Sequence, residues 1–356
     1  NYVVGLLDFL MQLVKHALRD WLNMTNSFSN KIGKVVVIGV AVGPEIEPYW
    51  QELRQQTELT TLEEVTPEAL KAVLDDADVL IVRSSAKLSG EMMRAARNLR
   101  GIIKWGVGYD NIDVAAATEC GLPVVILPVF MASMAEAVFC FLFTITKKYE
   151  RLNALVCAGK RPMLEDRSHT LEDKVLGCVG LGRIGRRVAR IALALEMKVL
   201  VYDPYLEQAE VDGCDLPLVS LDELLQQAHF VSLHAPLTAE NHHMIDASAL
   251  AKMRPDAYLI NIARGGLVNE AALYRALIKE QIAGAALDTF EVEPVSPDNP
   301  LLGLNNVWAT PHFLGATWEG LGQVAAAAQD AAIKLLRGEN PGYLVVNPEV
   351  LKEDQA

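Results

Sequence analysis

The chain alternates short apolar runs with stretches of helical periodicity from Lys34 onward. Stretches such as 67–74 and 90–99 repeat apolar residues every three or four positions, which predicts amphipathic helices. Because strands that alternate with helices are typical of a parallel sheet covered by helices, this part of the chain predicts an α/β domain. The runs of strand length are Val35 to Val40, Val79 to Val82, Ile102 to Ile103 and Val124 to Leu127.

A second series of apolar runs begins after a long apolar helix, which the pattern predicts over residues 132–155. We place a domain junction near residue 130, at the head of this helix, and a last helix near residues 319–336. Six runs of strand length separated by helical stretches predict a complete doubly wound parallel sheet. These runs are Val175 to Val179, Val199 to Tyr202, Phe230 to His234, Tyr258 to Ile262, Gly284 to Leu287 and Val307 to Ala309.

Residues 1–23 carry apolar side chains at helical spacing, which predicts an amphipathic helix, and the polar residues 25–30 predict a linker. Charged side chains interrupt the helix, so no run of about 18 apolar residues predicts a membrane span. No basic leader with a small-residue cleavage site is present, which disfavours a signal peptide. We expect this extension, residues 1–31, to pack on the body or on a partner subunit rather than on a membrane surface. Met24 is an alternative start of the chain.

The chain is acidic, since 32 Lys and Arg residues against 45 Asp and Glu residues give a formal charge of −13. This charge disfavours binding to nucleic acid or to anionic membranes. The cysteines are odd in number, widely spaced and never in a C-x-x-C pattern. This disfavours a disulfide framework or a metal site and favours a reducing cytoplasm. They are Cys120, Cys140, Cys157, Cys178 and Cys214.

Gly180, Gly182 and Gly185 form a G-x-G-x-x-G motif between a predicted strand and a helix predicted over residues 186–195. In a dinucleotide site the first glycine makes the tight turn and the second lets the backbone approach the pyrophosphate. The third lets the helix lie close to the sheet, and the pyrophosphate rests at the helix N-terminus. Asp203 ends the next strand, where a carboxylate binds ribose hydroxyls and repels a 2′-phosphate. The motif therefore favours NAD and leaves NADP open.

Three polar residues follow apolar runs, namely Arg264, Glu293 and His312. Ligands of doubly wound sheets bind at this carboxyl edge, which makes the three a candidate catalytic set. Hydride transfer to a 2-oxo acid requires a fixed cation for the carboxylate and a proton donor for the carbonyl oxygen. Arg264 has the planar fork for the first role, and His312 can fill the second. A Glu293 carboxylate bonded to the other ring nitrogen would orient His312, fix its tautomer and favour its protonated form.

Several motifs follow one another along the chain, namely Lys104 to Asp113, the glycine motif, His234 to Leu237, Asn261 to Gly266, Asp288 to Pro294 and Thr310 to Gly315. In this order they resemble the D-isomer-specific 2-hydroxyacid dehydrogenase family, from about residue 34 to residue 340. The resemblance implies that Arg264, Glu293 and His312 are the catalytic residues. It also implies that backbone N–H groups of Val107 and Gly108 hold the substrate carboxylate.

The resemblance further implies cofactor contacts beyond the three glycines and Asp203. Many relatives have Thr at the position of Asn241. The residues in these contacts are Arg183, Ile184, Pro236, Asn241, Ile262, Asp288 and Gly315.

The resemblance implies two doubly wound domains, the first of them discontinuous. Residues 32–130 and 313–356 would form a flavodoxin-like substrate domain, with a Rossmann cofactor domain, residues 131–312, inserted between them. We expect the cleft between the domains to close on a small 2-hydroxy or 2-oxo acid. The helix from Ala132 resembles the dimer-forming helix of the family, which predicts a homodimer.

The segment Arg83 to Lys87 resembles the substrate-side loop of D-3-phosphoglycerate dehydrogenases. This implies a dianionic substrate such as 3-phosphoglycerate or a malate-like acid. Two features depart from those enzymes: Trp105 stands where some carry a basic residue, and only about twenty residues follow the last helix, fewer than a regulatory domain needs.

The alternative function is an NAD-sensing scaffold like the C-terminal-binding-protein corepressors, with residual dehydrogenase activity. A third possible function is that of a phosphite or formate dehydrogenase. Formate dehydrogenases, however, have another residue at the position of Glu293.

Overall fold

The computed structural model describes residues 31–39, 46–63, 65–83, 86–211 and 216–351. The amphipathic helix predicted over residues 1–23 and the alternative start at Met24 lie outside this part of the chain. The chain forms two compact units, of which unit 1 comprises Asn1–Val129 and Trp318–Ala356, and unit 2 comprises Phe130–Thr317. The units divide after Val129 and Thr317. The sequence predicts divisions after residues 130 and 312, with a substrate domain and a cofactor domain, and that assignment stays a prediction.

Twelve strands and eleven α-helices, numbered in chain order, occur within the described residues. The strands are β1 (Lys34–Ile38), β2 (Glu58–Leu62), β3 (Val79–Val82), β4 (Gly101–Lys104), β5 (Val124–Ile126), β6 (Val175–Val179), β7 (Lys198–Tyr202), β8 (Phe230–Leu233), β9 (Tyr258–Asn261), β10 (Gly284–Leu287), β11 (Val307–Ala309) and β12 (Leu344–Val345). The helices are α1 (Glu47–Gln56), α2 (Pro67–Leu74), α3 (Gly90–Ala95), α4 (Val114–Glu119), α5 (Met131–Lys147), α6 (Tyr149–Cys157), α7 (Arg183–Ala194), α8 (Leu221–Gln227), α9 (Ala247–Lys252), α10 (Glu270–Ile278) and α11 (Trp318–Arg337).

Unit 1 is built on a six-stranded sheet in the order β12-β5-β4-β3-β1-β2. Strands β1 to β5 are parallel and have the flavodoxin-like order, and β12 joins β5 in antiparallel orientation. The two edge strands have no clear signal in the sequence. The half-exposed β2 is polar, and β12 has only two residues, too few to show a period.

The core of unit 1 lies between this sheet and the helices that follow its strands. Val36, Leu80 and Ile102 of the inner strands are fully buried and pack in one core with Leu70 of α2 and Met93 of α3. Each of α2, α3 and α4 begins after a residue whose side chain accepts a hydrogen bond from an N–H three positions on. Such caps satisfy donors that the helix itself leaves unpaired.

Unit 2 is built on a second six-stranded sheet, parallel throughout, in the order β11-β10-β9-β8-β6-β7. The strand order reverses at β6, since the chain leaves β6 for β7 on one side and then returns to β8 on the other. Ligands of open α/β sheets bind at the carboxyl ends of the strands beside such a reversal. Two doubly wound parallel sheets confirm the predicted fold class.

The long helix predicted over residues 132–155 is two helices. Lys148 has a left-handed backbone, with φ of 49°, and separates α5 from α6. The helix breaks where its buried face ends: α5 is buried at regular intervals as far as Thr146, whereas Leu155 is the buried residue of α6. Without a continuous apolar face, packing does not hold the two segments on one axis.

In the part of the chain that the structure describes, no helix combines the length and the apolar character needed to cross a membrane. The same residues contain no group of three or more His, Cys, Asp or Glu side chains that could hold a metal ion.

A buried side chain fixes the C-terminal segment of the chain to β5. Asn347 is 2% exposed, and its Oδ1 accepts a hydrogen bond from Val124 N at 2.8 Å. Its Nδ2 donates to Leu122 O at 2.9 Å and to Thr118 Oγ1 at 3.1 Å. One amide therefore satisfies backbone groups that have no access to water.

We predict that Asn347→Ala lowers the free energy of unfolding by about 2 to 3 kcal/mol, because it leaves the Val124 N–H and the Leu122 carbonyl buried without a partner. Asn98→Ala is the matched control, since Asn98 is exposed and donates one bond of 3.3 Å to Asp75 O. Urea unfolding of both variants measures the difference. Equal losses would show that water replaces the Asn347 amide.

Candidate active site

The glycine motif lies between β6 and α7, and two of its glycines are required by close backbone contacts. Gly180 has φ of +95°, and a Cβ there would lie 2.9 Å from Ala235 N. A Cβ on Gly185 would lie 2.3 Å from Gly180 O. At Gly182 a Cβ would meet nothing within 4 Å. The first and third glycines therefore shape the turn, and the second leaves open space above it.

The start of α7 fits an anionic group such as a pyrophosphate. The helix begins at Arg183, three residues earlier than predicted, so Ile184 and Gly185 lie in its first turn. Gly182 occupies the N-cap position and has no side chain to bond the first N–H groups. These N–H groups and the helix dipole can therefore bind a negative charge in the space above Gly182. Arg183 is exposed beside them.

Asp203, at the end of β7, is bonded to the glycine turn. Its Oδ2 accepts from Leu181 N at 2.9 Å, and its Oδ1 accepts from Tyr205 N at 3.1 Å. The carboxylate therefore shapes the turn and also places a negative charge at this edge of the sheet, where the ribose of a dinucleotide would bind.

A histidine that the sequence left without a role lies beneath the glycine motif. His234 follows β8, and both of its ring nitrogens are buried without a hydrogen-bond partner among the described residues. A Cβ on Gly185 would lie 3.7 Å from the Cβ of His234. Burial lowers the pKa of His234 to about 4, so the ring is neutral at pH 7. His234 is a polar residue directly after an apolar run and begins the motif His234 to Leu237. This position could have identified it as a candidate site residue.

The loop after β8 contains the expected cofactor residues Pro236 and Asn241. The Asn241 amide is used within this loop: Nδ2 donates to Pro236 O at 2.7 Å, and Oδ1 accepts from Thr238 N at 2.7 Å. Asn241 therefore sets the shape of the loop through its side chain.

Arg264 follows β9 and is oriented by its own turn. Its Nη1 donates to Ala263 O at 2.8 Å. Asn261, fully buried at the end of β9, donates from Nδ2 to Arg264 O at 2.8 Å and accepts at Oδ1 from Ala263 N at 3.1 Å. The sequence analysis predicted no role for Asn261. A polar residue at the end of an apolar run could have indicated one.

His312 and Glu293 are hydrogen-bonded, with 2.8 Å between His312 Nδ1 and Glu293 Oε2. The other carboxylate oxygen of Glu293 accepts from Phe290 N at 3.0 Å. Burial raises the pKa of Glu293, but the bond and charge of His312, the Phe290 N–H and the charge of Arg264 outweigh it. The pKa of Glu293 therefore lies below its ordinary value. The three predicted residues come together, and Glu293 is ionised at pH 7.

Asp288, at the end of β10, holds the loop that contains His312. It is 1% exposed, and its Oδ1 accepts from Thr310 Oγ1 at 2.7 Å, from Phe313 N at 3.0 Å and from Leu314 N at 3.2 Å. Between these donors His312 has φ of 53°, in the left-handed region. Thr310 begins the motif Thr310 to Gly315, but the sequence analysis predicted no role for its side chain. Asp288, expected to contact a cofactor, also positions His312.

The last two expected cofactor residues lie in packed positions. Ile262 is 3% exposed in the core beneath β9. A Cβ on Gly315 would lie 2.1 Å from Met134 Sδ, and Ser133 Oγ donates to Gly315 O at 2.7 Å. A side chain at Gly315 would therefore displace the Met134 side chain of α5.

The expected substrate-binding residues belong to unit 1. Arg83 follows β3 and is half-buried, and its carbonyl accepts from Asn111 Nδ2 at 3.1 Å. Within the described residues, no carboxylate forms an ion pair with the Arg83 guanidinium. Val107 is 38% exposed and follows Gly106, whose φ is +110°. In the same part of the chain, neither Val107 nor Gly108 donates its N–H to another backbone group.

Comparisons with known proteins agree with these features. The sequence profile described as "D-isomer specific 2-hydroxyacid dehydrogenase, NAD binding domain" matches residues 139–313. The chain is 38% identical over 291 residues to the D-3-phosphoglycerate dehydrogenase of Methanocaldococcus jannaschii, covering 81% of this chain but only 55% of that protein. It is 36% identical over 310 residues to the glyoxylate reductase of Korarchaeum cryptofilum, covering 85% of this chain and 93% of that protein.

A solved structure agrees with the fold. The D-lactate dehydrogenase from Aquifex aeolicus, complexed with NAD and lactic acid, has a TM-score of 0.79 and 29% sequence identity. The match covers 90% of this chain and 98% of that chain.

We predict that the charge of Asp203 sets the preference between NADH and NADPH. Asp203→Asn keeps an oxygen for Leu181 N but removes the charge, so the ratio of the two dissociation constants should move toward NADPH on the order of 10-fold to 10²-fold. Asp203→Ala also removes the bond to the turn and should weaken the binding of both. Fluorescence titration measures both constants. An unchanged ratio in Asp203→Asn would contradict this role of the charge.

Proposed function

Because the chain belongs to the D-isomer-specific 2-hydroxyacid dehydrogenase family, we propose that it is an NAD-dependent oxidoreductase that interconverts a D-2-hydroxy acid and its 2-oxo acid. The observation that carries the proposal is the bond of 2.8 Å between His312 Nδ1 and Glu293 Oε2, with the charge of Arg264 close enough to lower the pKa of Glu293. A cation, a carboxylate and an imidazole are the groups that this reaction requires.

Arg264 binds the acid. Its guanidinium offers a planar set of N–H donors for the carboxylate and the carbonyl oxygen of a 2-oxo acid. The bonds from Asn261 and to Ala263 O hold the turn on which this side chain stands. A fixed cation lowers the barrier because it is already in place when negative charge develops on the carbonyl oxygen.

His312 moves the proton. Glu293 is ionised, so His312 Nδ1 keeps its proton and donates it in a hydrogen bond to Glu293 Oε2. His312 Nε2 is then the ring nitrogen that can contact the substrate. In reduction, Nε2 donates its proton to the carbonyl oxygen, and in oxidation it takes a proton from the hydroxyl group. The nicotinamide of NAD, when bound, supplies or accepts the hydride.

We propose that unit 1 contributes the groups that recognise the rest of the substrate. Two N–H groups, those of Val107 and Gly108, would hold the carboxylate of the acid. Arg83 would bind a second anionic group, and the absence of a carboxylate partner among the described residues supports this role. The preferred substrate would then be dianionic, such as 3-phosphoglycerate or a malate-like acid, rather than glyoxylate.

The corepressor-like alternative has no support, since the relatives reported above are named as enzymes. A formate dehydrogenase is disfavoured by the Glu293 carboxylate beside His312. The homodimer and the cytoplasmic location stay proposals, which sedimentation velocity and cell fractionation would decide.

We predict that the chain reduces dianionic 2-oxo acids with NADH more efficiently than monoanionic ones. Phosphohydroxypyruvate and oxaloacetate, compared with hydroxypyruvate and glyoxylate, test this at matched pH and ionic strength. Arg83→Ala should remove the advantage of the dianions, a loss of about 1.5 to 3 kcal/mol in transition-state binding, and leave the monoanions unchanged. Arg97→Ala, at an exposed position of the same unit, is the matched control.

The absence of turnover with all four acids would contradict the proposed substrates. Equal losses for all four acids in Arg83→Ala would show a structural role for Arg83.

We predict opposite pH profiles for the two directions of the reaction. Reduction needs protonated His312, so its rate should hold steady at low pH and fall as pH rises through the inflection. Oxidation needs the neutral ring and should rise there. Glu293→Gln removes the charge of the carboxylate bonded to His312 Nδ1 and should lower kcat in both directions, with activity retained in part. His312→Ala should lower kcat on the order of 10² to 10⁴ with NADH binding little changed.

Stopped-flow measurement of both directions across the pH range gives the two profiles. A kcat in Glu293→Gln equal to that of the wild type would exclude a role for the Glu293 charge in catalysis.

A further inference from the structure

A reciprocal pair of hydrogen bonds joins the start of α10 to the loop after β10 in unit 2. Glu270 N donates to Glu291 Oε1 at 2.7 Å, and Glu291 N donates to Glu270 Oε1 at 2.5 Å. Each residue therefore supplies one backbone donor and one carboxylate acceptor to the other. We call this pair the Glu270–Glu291 bridge.

The bridge is anchored at Glu270. Glu270 Oε2 accepts from Asn299 Nδ2 at 2.8 Å, so both oxygens of this carboxylate are bonded. His243 Nε2 lies 3.2 Å from Glu291 Oε1 but forms no hydrogen bond with it among the described residues. The bridge therefore connects the segments after β9 and β10.

The two carboxylates of the bridge have like charges, and each is bonded to N–H donors that offset the repulsion. Glu270 is the first residue of α10, so the Glu291 carboxylate binds an N–H that the helix leaves unpaired, at the positive end of the helix dipole. The Glu291 N–H and the Asn299 amide bind the Glu270 carboxylate in turn.

The bridge lies next to the residues of the proposed chemistry. Gly265 follows Arg264, and a Cβ on Gly265 would lie 1.9 Å from the carbonyl carbon of Phe290. Phe290 precedes Glu291 and donates its N–H to Glu293 Oε1 at 3.0 Å. A shift of the Glu291 backbone would therefore move the turn of Arg264 and the acceptor of His312 relative to each other.

We propose that Glu270 and Glu291 are positioning residues that set the distance between Arg264 and the Glu293–His312 pair. The inference rests on the proposed function for its effect on rate, but the bridge itself is tested without turnover. Each of the two hydrogen bonds has a backbone N–H as its donor, so both residues act on the backbone of the segments that they join.

The first test compares Glu291→Ala with Glu291→Gln. The alanine variant leaves Glu270 N without its acceptor and should lower kcat/KM for the 2-oxo acid on the order of 10-fold to 10²-fold, because a small misplacement of reacting groups is costly. The KM for NADH should stay unchanged. Glutamine keeps an oxygen at the same place and should restore most of the activity.

Two further comparisons separate positioning from stability. Glu270→Ala should match Glu291→Ala, since each variant removes one of the two bonds. The loss in the double variant should be smaller than the product of the single losses, because both bonds join the same two segments. Ser220→Ala is the matched control: Ser220 caps α8 through a bond of 3.2 Å to Glu223 N, so its loss weakens a helix start and should leave kcat/KM unchanged.

Amide hydrogen exchange tests the bridge independently of turnover. Glu270→Ala should speed exchange in residues 288–293, and Glu291→Ala should speed it in residues 264–270, with residues 230–233 of β8 unchanged. If the wild type turns over no 2-oxo acid but exchange responds in this way, the proposed function fails and the bridge stands. The proposal is overturned if glutamine restores nothing, if the single losses multiply in the double variant, or if exchange in both loops stays at the wild-type rate.

Discussion

The geometry of the site depends on one buried carboxylate, that of Asp288. A carboxylate removed from water is tolerated only when hydrogen bonds replace its hydration. Here three donors from the loop after β11 do so, and they flank His312 on both sides. The left-handed backbone of His312 costs on the order of 1 to 3 kcal/mol, which these bonds offset. The ring therefore reaches Glu293 from a conformation that the loop would not adopt alone.

The other groups of unit 2 are held in the same way, by short loops at the carboxyl ends of parallel strands. Asn261 fixes the turn of Arg264, Asp203 fixes the glycine turn, and Asn241 fixes its own loop. In each case a polar side chain of a loop bonds a nearby backbone group. Groups placed by packed strands and such bonds keep their positions more accurately than groups on free loops.

The sequence predicts the parts of this molecule that rest on local patterns. The buried parallel strands show as apolar runs, and the glycine motif shows because Gly180 and Gly185 tolerate no side chain. The pattern also identifies three candidate catalytic residues, because each of them follows an apolar run: Arg264, Glu293 and His312. The break at Lys148 was missed because it depends on where burial by other elements ends, which the apolar pattern of α5 does not reveal.

Apart from the bond between Glu293 and His312, the contacts between distant segments were not predicted. Nothing near Glu270 in the sequence indicates that Glu291 bonds to it, and Thr310 has no local feature that points to Asp288. The edge strand β2 is polar because one side of it lacks a neighbouring strand. These features follow from tertiary structure, which overrides local preference.

The antiparallel strand β12 has a consequence for the order in which the chain can fold. It pairs with β5, and Asn347 bonds to Val124 across 223 positions of sequence, with all of unit 2 between them. Unit 2 is continuous and has every one of its strands once residue 309 has been synthesised. Unit 1 lacks α11 and its β12 edge until the last part of the chain emerges from the ribosome. During synthesis, the half that begins first is therefore the half that is completed last.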